Sequence, residues 1–322
     1  MKSGLLALLL AALLPTMAIA QTSTADIAPR TELHAIPTMT VSDSDFLAGK
    51  DGKAVTVAGQ LRIAQGTGKL PVVILMHGSG GMGAQLDTWS RLFNSMGVST
   101  FAIDGFTGRG LTSVNMNQAQ LGRLNFILDI YRALAILANH PRVDPQRIVL
   151  MGFSRGGQAA LYASLTRFHK MWNKSGASFA AYIPFYPDCA TSYIDDTEVA
   201  TAPIRIFHGI ADDYNPLSSC KAFLTRLKSA GRDVELTEYA DAQHGFDSPL
   251  GAVVVAKGAQ TVRACTIKEG PAGVLVNTAT GAPFAYTDAC VQLDPHVGRN
   301  AAAATAAQAA VGDFVRTLFK LK

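Results

Sequence analysis

Residues 71–78 read PVVILMHG, six consecutive apolar residues ending on a histidine and a glycine. Successive side chains of a strand leave on opposite sides, so a run with no polar residue needs cover on both faces. The segment just before it, AVTVAGQLRIA at 54–64, instead alternates apolar and polar residues and suits a strand or hairpin with one wet face. The change of pattern marks entry into a sheet sandwiched between helices, which is how parallel strands are normally housed.

The same theme then recurs along the chain. Strand candidates fall at 72–76, 100–103, 148–151, 180–185, 204–207 and 234–239. Between them LDTWSRLFNSMG, LGRLNFILDIYRALAILANH, QAALYASLTRF and PLSSCKAFLTRLKSAG space apolar residues three and four apart. The expected fold is α/β, a mostly parallel central sheet flanked by helices. Covering both faces demands apolar material, and 48% hydrophobic residues in a chain of 322 supplies it. Residues 250 to about 300 break the rhythm with VVVA, TVRACTI and AGVLVNTATGAPFAY, which reads as a β-hairpin insertion, and AAAATAAQAAVGDFVRTLFK then closes the domain as a helix.

Ligands of such sheets bind beyond the carboxyl ends of the strands, so the strand-to-helix loops hold the chemistry. RIVLMGFSRGGQAALYASL sets Ser154 between Gly152 and Gly156, at the end of an apolar run and the start of a helical one. The bare G-x-S-x-G pattern is weak, but this strand–turn–helix context is that of a nucleophile elbow. Acyl transfer by serine also needs a histidine base, a carboxylate to orient it and two N–H donors for the oxyanion. The carboxylate is expected in IADDYNP after APIRIFHG, with Asp212 favoured and Asp213 as the alternative; an aspartate there could equally cap a helix. His244 in DAQHGFD follows the next strand, completing the order Ser154, Asp212, His244. The other histidines are less well placed: His34 lies in a polar lead-in near residues 21–45, His140 precedes a proline in a helix-ending loop, His169 and His296 have polar surroundings, and His77 and His208 end strands just before glycine. The N–H of Arg155 is one oxyanion donor, and that of Ser79 in HGSGG the other, with Gly80 adjacent. Asp104 and Arg109, in IDGFTGRG, read as a solvated loop salt bridge in preference to substrate contacts.

Taken together, PVVILMHGSGG, RIVLMGFSRGG, HGIADDYNP and DAQHGFD resemble the dienelactone hydrolase family of α/β-hydrolases over about residues 55–250. The resemblance implies an α/β-hydrolase fold and hydrolysis of a small-molecule carboxylic ester or lactone, with Ser154 as nucleophile, Asp212 as orienting acid and His244 as base. It implies no metal or organic cofactor. The chain has serine where the best-known members use cysteine, and HGSGG where they carry histidine followed by glutamate. It is therefore nearer to a secreted, serine-nucleophile branch with paired cysteines.

Two rival readings use the same residues. GSGGMG matches G-x-G-x-x-G through Gly78, Gly80 and Gly83, with Asp104 about 20 residues on, as in a dinucleotide-binding oxidoreductase. Against it, His77 directly precedes the glycines and the strand is not the first of the sheet. The other rival is a binding protein that keeps the fold without catalysis.

The amino terminus, MKSGLLALLLAALLPTMAIAQ, has Lys2, an apolar core too short to span a bilayer, and Ala18-Ile19-Ala20 at a cleavable position. It reads as a signal peptide over residues 1–20, leaving a single domain from 21 to 322, exported to the periplasm or beyond with no stable membrane anchor. Four cysteines in an oxidising compartment favour two disulfides, and the pairs that close short segments are Cys189 with Cys220 and Cys265 with Cys290. The net charge of +4 is scattered, with no basic run of the kind that tracks nucleic acid.

Overall fold

The computed structural model describes residues 27–249 and 251–321. Residues 1–20, read above as a signal peptide, lie outside them. In chain order the elements are β1 (Arg30–Thr40), α1 (Asp43–Leu47), β2 (Lys53–Ile63), β3 (Leu70–Met76), α2 (Ala84–Ser95), β4 (Ser99–Asp104), α3 (Asn125–Ala138), β5 (Val143–Phe153), α4 (Arg155–Tyr162), α5 (Thr166–Trp172), β6 (Ala181–Phe185), β7 (Thr191–Ser192), β8 (Ile204–Gly209), α6 (Leu217–Ser229) and β9 (Val234–Tyr239). The short strands β10 (Val254–Val255), β11 (Gln260–Thr261), β12 (Ile267–Glu269), β13 (Leu275–Asn277), β14 (Gln292–Leu293) and β15 (His296–Val297) follow, and α7 (Ala301–Phe319) ends the fold.

Eight strands form one sheet in the order β1-β2-β4-β3-β5-β6-β8-β9. Neighbours from β4 to β9 run parallel, and β2 joins them antiparallel to β4 with β1 antiparallel at the edge. The apolar runs explain the layering. Along β3, Val72, Ile74 and Met76 enter one apolar layer, while Val73 and Leu75 enter the other; β5 divides Ile148 and Leu150 from Val149 and Met151 in the same way. Helices α3, α4, α5 and α6 cover the first face, and α2 and α7 the second. In α7 the buried residues Ala303, Ala307, Val311 and Val315 recur every four positions, and Asn300 caps the helix by accepting the Ala303 N–H at 3.1 Å.

Two expectations need correction. The segment before residue 45, read as a polar lead-in, holds the eleven-residue strand β1, paired with β2 along its whole length. As an edge strand it fully buries only Ile36 and Thr38 and carries Pro37, so it lacks the apolar signal of the central strands. The 251–300 insertion is not one hairpin. Its antiparallel pairings nest as β10 with β15, β11 with β14 and β12 with β13, and β7 adds a parallel pairing to β12. Pro271, Pro283 and Pro295 interrupt it, since proline cannot donate to a ladder. Disulfides join Cys189 to Cys220 and Cys265 to Cys290. Among the described residues no helix is long and apolar enough to cross a membrane.

Candidate active site

β5 delivers Ser154 to the carboxyl edge of the sheet, and α4 starts at the next residue. The turn is so tight that Ser154 has φ of +55°, a region non-glycine residues seldom occupy. Its glycines are required by contact: a Cβ on Gly152 would lie 2.0 Å from Gly156 O, and one on Gly156 would lie 2.2 Å from Met76 O. The preceding strand and following helix can therefore meet at the serine, whose hydroxyl is left at the cleft.

Two later strand ends bring partners to it. His244 Nε2 lies 2.8 Å from Ser154 Oγ, and His244 Nδ1 lies 2.8 Å from Asp212 Oδ2. A carboxylate only accepts, so Nδ1 carries the proton and Nε2 presents its lone pair to the serine hydroxyl. Asp212 is itself fixed, its Oδ1 accepting the backbone N–H groups of Tyr214 (2.9 Å) and Asn215 (2.8 Å). The imidazole is held by rings as well: Tyr214 stacks on it at 4.5 Å and Tyr186 meets it edge-on at 4.6 Å.

Asp213, the alternative acid, turns away. It accepts from His296 Nδ1 (2.9 Å), the His296 backbone N–H (2.7 Å) and Arg263 Nη1 (3.2 Å), all in the 251–300 segment. Burial alone would raise its pKa, but the bonds from His296 and the charge of Arg263 outweigh that and hold its carboxyl below the usual range.

The HGSGG loop lies against the nucleophile, where a Cβ on Gly78 would come within 3.2 Å of both Ser154 Cβ and Phe153 O. Gly78, the first glycine of the dinucleotide-like pattern, thus brings backbone up to the serine. Ser79 is anchored by its carbonyl, which accepts from Val114 N (2.9 Å) and Ser113 Oγ (3.1 Å), and by its hydroxyl, which donates to Gln118 Oε1 (3.1 Å). Arg155 opens α4, so its N–H has no acceptor within the helix. Ser79, Ser154 and Arg155 share the wall of a narrow nook of about 30 Å³. Ser154, His244 and Ser79 also line a wider cleft of about 440 Å³.

His77 and His208 are buried and lie outside the triad. His77 donates from Nδ1 to Gly78 O (2.7 Å) and accepts the Gly105 N–H at Nε2 (3.0 Å), tying together the loops after β3 and β4. Burial pushes its pKa down to about 4. Asp104 accepts from Phe106 N (2.9 Å) and Thr107 N (3.0 Å) in its own turn. Arg109 does not pair with it in solvent: it is buried and makes a two-pronged ion pair with Asp129, at 2.7 and 2.9 Å. A loop read as solvated is thus pinned to α3 by a pair 20 residues apart.

Several residues of this neighbourhood escape the sequence reading. The wholly buried Asp247, three residues after His244, accepts from Trp89 Nε1, Tyr186 OH and Gln85 Nε2, each at 2.7 Å. It ties the histidine loop to α2 and the end of β6, and burial raises its pKa. Position beyond a strand end is the signal that marks Tyr186 and Tyr214. Away from the cleft, Glu32 Oε2 receives His34 Nε2 (3.1 Å) and His140 Nε2 (2.9 Å). His140 precedes β5, at the end of that strand opposite Ser154.

Comparison with known proteins agrees with this architecture. The family model described as the dienelactone hydrolase family matches residues 57–268. A Synechocystis sp. protein named "Putative carboxymethylenebutenolidase" is 24% identical over 222 residues, spanning 65% of this chain and 88% of that protein. Among solved structures, a dienelactone hydrolase-like promiscuous phosphotriesterase, P91, from metagenomic libraries superposes with a TM-score of 0.56 at 15% identity, covering 89% of this chain and 98% of its own. Thermogutta terrifontis esterase 2, phosphoramylated by tabun, gives 0.51 at 17% identity, covering 80% and 89%. At these identities the two structures speak for the fold alone. The family model spans the elbow, the acid loop and the histidine loop, and the chain belongs to the dienelactone hydrolase family of hydrolases.

Proposed function

We propose that the protein is an exported serine hydrolase that cleaves carboxylic esters or lactones through an acyl-enzyme. The single observation that carries this reading is the unbroken relay from Ser154 Oγ through His244 to Asp212, with both links at 2.8 Å. In the first half-reaction Ser154 Oγ attacks the carbonyl carbon while its proton passes to His244 Nε2. The resulting oxyanion is received by the N–H groups of Ser79 and Arg155. Asp212 stays ionised and stabilises the imidazolium. The C–O bond then breaks as His244 returns the proton to the leaving oxygen, and the alcohol departs. Water, deprotonated by the same histidine, attacks the acyl-serine and releases the acid and free Ser154.

The reading extends to the chain's organisation: a signal peptide over 1–20, one α/β-hydrolase domain from 21 to 322, and residence in the periplasm or outside the cell. The two disulfides support it, because such bonds persist in oxidising compartments. Membership of the family supports an ester or lactone as substrate. A fluorophosphonate probe tests the proposal. Stoichiometric labelling of wild type at Ser154, lost in Ser154→Ala, is the expected result. A folded wild-type protein that takes no label would instead be a binding protein on a hydrolase scaffold.

A further inference from the structure

The two spaces that meet at Ser154 differ in size and lining. The nook behind the serine, about 30 Å³, is bounded by polar side chains including Gln118, Arg155 and Gln158, and holds little more than a water molecule or two. The bulk of a substrate must therefore occupy the 440 Å³ cleft. No aspartate, glutamate, lysine or arginine lines that cleft among the described residues. One wall comes wholly from the 251–300 segment, where Ala252, Val254, Ala256, Ala259 and Val297 present only apolar side chains. Val254 is 59% exposed there and Val253 beside it 42%. Large aliphatic side chains left wet along a reaction cleft gain when a ligand covers them.

The wall's attachment says which part of the substrate it meets. Val297 pairs with His244 as an isolated parallel bridge, and the Gly298 N–H donates to His244 O at 2.9 Å. His244 must protonate the leaving oxygen, so the alcohol portion of an ester lies beside that histidine and hence along this wall.

We infer that the 251–300 segment is a leaving-group pocket selecting esters of apolar, uncharged alcohols or phenols. This rests on the ester-hydrolase reading and narrows it. A methylene removed from water contributes about 0.8 kcal/mol, or about fourfold. On a half-open wall, kcat/KM is expected to rise about two- to fourfold per methylene along ethyl, butyl and hexyl acetate.

The test measures that series on the wild-type mature protein, beside a second series in which the acyl chain of ethyl esters is lengthened. A third arm uses acetate esters of alcohols bearing a terminal carboxylate. The inference expects a rising alcohol series, a flatter acyl series and poor turnover of the charged esters. In Val254→Asp the hexyl-to-ethyl ratio falls towards one, and in Val254→Ser, a gentler change should the first not fold, it falls part of the way. A gradient in the acyl series alone, a flat alcohol series, charged esters turned over as fast as neutral ones, or ratios indifferent to both substitutions would each overturn it. Ethyl acetate hydrolysis that depends on Ser154 leaves the parent reading standing in every one of those cases. Its absence, with no labelling of Ser154, would instead remove the parent reading.

Discussion

The parallel sheet and the 251–300 segment both hold backbone around the same cleft, but by different physics. In β3 and β5 every other side chain enters a separate apolar layer, and burying each Val, Leu or Ile stabilises by about 1.5–3 kcal/mol. The insertion has ladders of two or three residues and leaves Val254, Val255 and Leu293 exposed. The Cys265–Cys290 bridge ties it to itself, and its attachments to the rest of the fold include the Asp213 contacts with Arg263 and His296, the Arg167–Glu269 ion pair and the β7–β12 pairing. Ser154, Asp212 and His244 all belong to the first region. The rigid part thus carries the reacting atoms, while the part with little core of its own supplies a wall.

The largest expected effect separates neighbouring aspartates that serve the two regions. Asp212→Asn deprives His244 of its carboxylate and is expected to lower kcat about 10⁴-fold. Asp213→Asn loosens only the insertion and should cost less than about tenfold. Equal losses in steady-state ester hydrolysis would erase the distinction.

Within the sheet, burial holds the His77 pKa at about 4, whereas an imidazole in the unfolded chain has a pKa of about 6.5. Between those values the unfolded chain takes up a proton that the native protein refuses. Stability present above pH 6.5 therefore drops by on the order of 3 kcal/mol as pH falls to 4. Urea unfolding across that window should show a shallower decline in His77→Gln than in wild type. Parallel curves would mean that His77 is not the group responsible.

In the insertion, replacing Cys265 and Cys290 together by serine is expected to cost about 2–3 kcal/mol. The damage should be local, with limited proteolysis entering 251–300 while fluorophosphonate still labels Ser154. Loss of labelling in a protein whose sheet remains folded would show that the insertion shapes the reaction centre as well as the wall.

This contrast also governs what could be read from the sequence. The inner strands β3, β4, β5 and β6 are visible because burial on both faces leaves apolar runs. β8 and the edge strand β9 show apolar residues broken by Arg205 and by Glu235, Thr237 and Glu238, and the triad is visible because its members sit beyond the ends of these strands. β1 is hidden because an edge strand with wet side chains resembles a loop. Asp247 is hidden for another reason: its partners Tyr186, Trp89 and Gln85 lie 61 to 162 positions away, so only the folded chain brings them together. Arg109 was expected in solvent because its pairing with Asp129 depends on how α3 packs.

The most direct measurement quenches the protein during turnover of an aryl ester and maps the modified peptide by mass spectrometry. The account predicts one acyl group on the peptide containing Ser154, accumulating in a burst and absent from Ser154→Ala, which turns nothing over. Continued hydrolysis by that variant, with an unmodified Ser154 peptide in wild type, would contradict it.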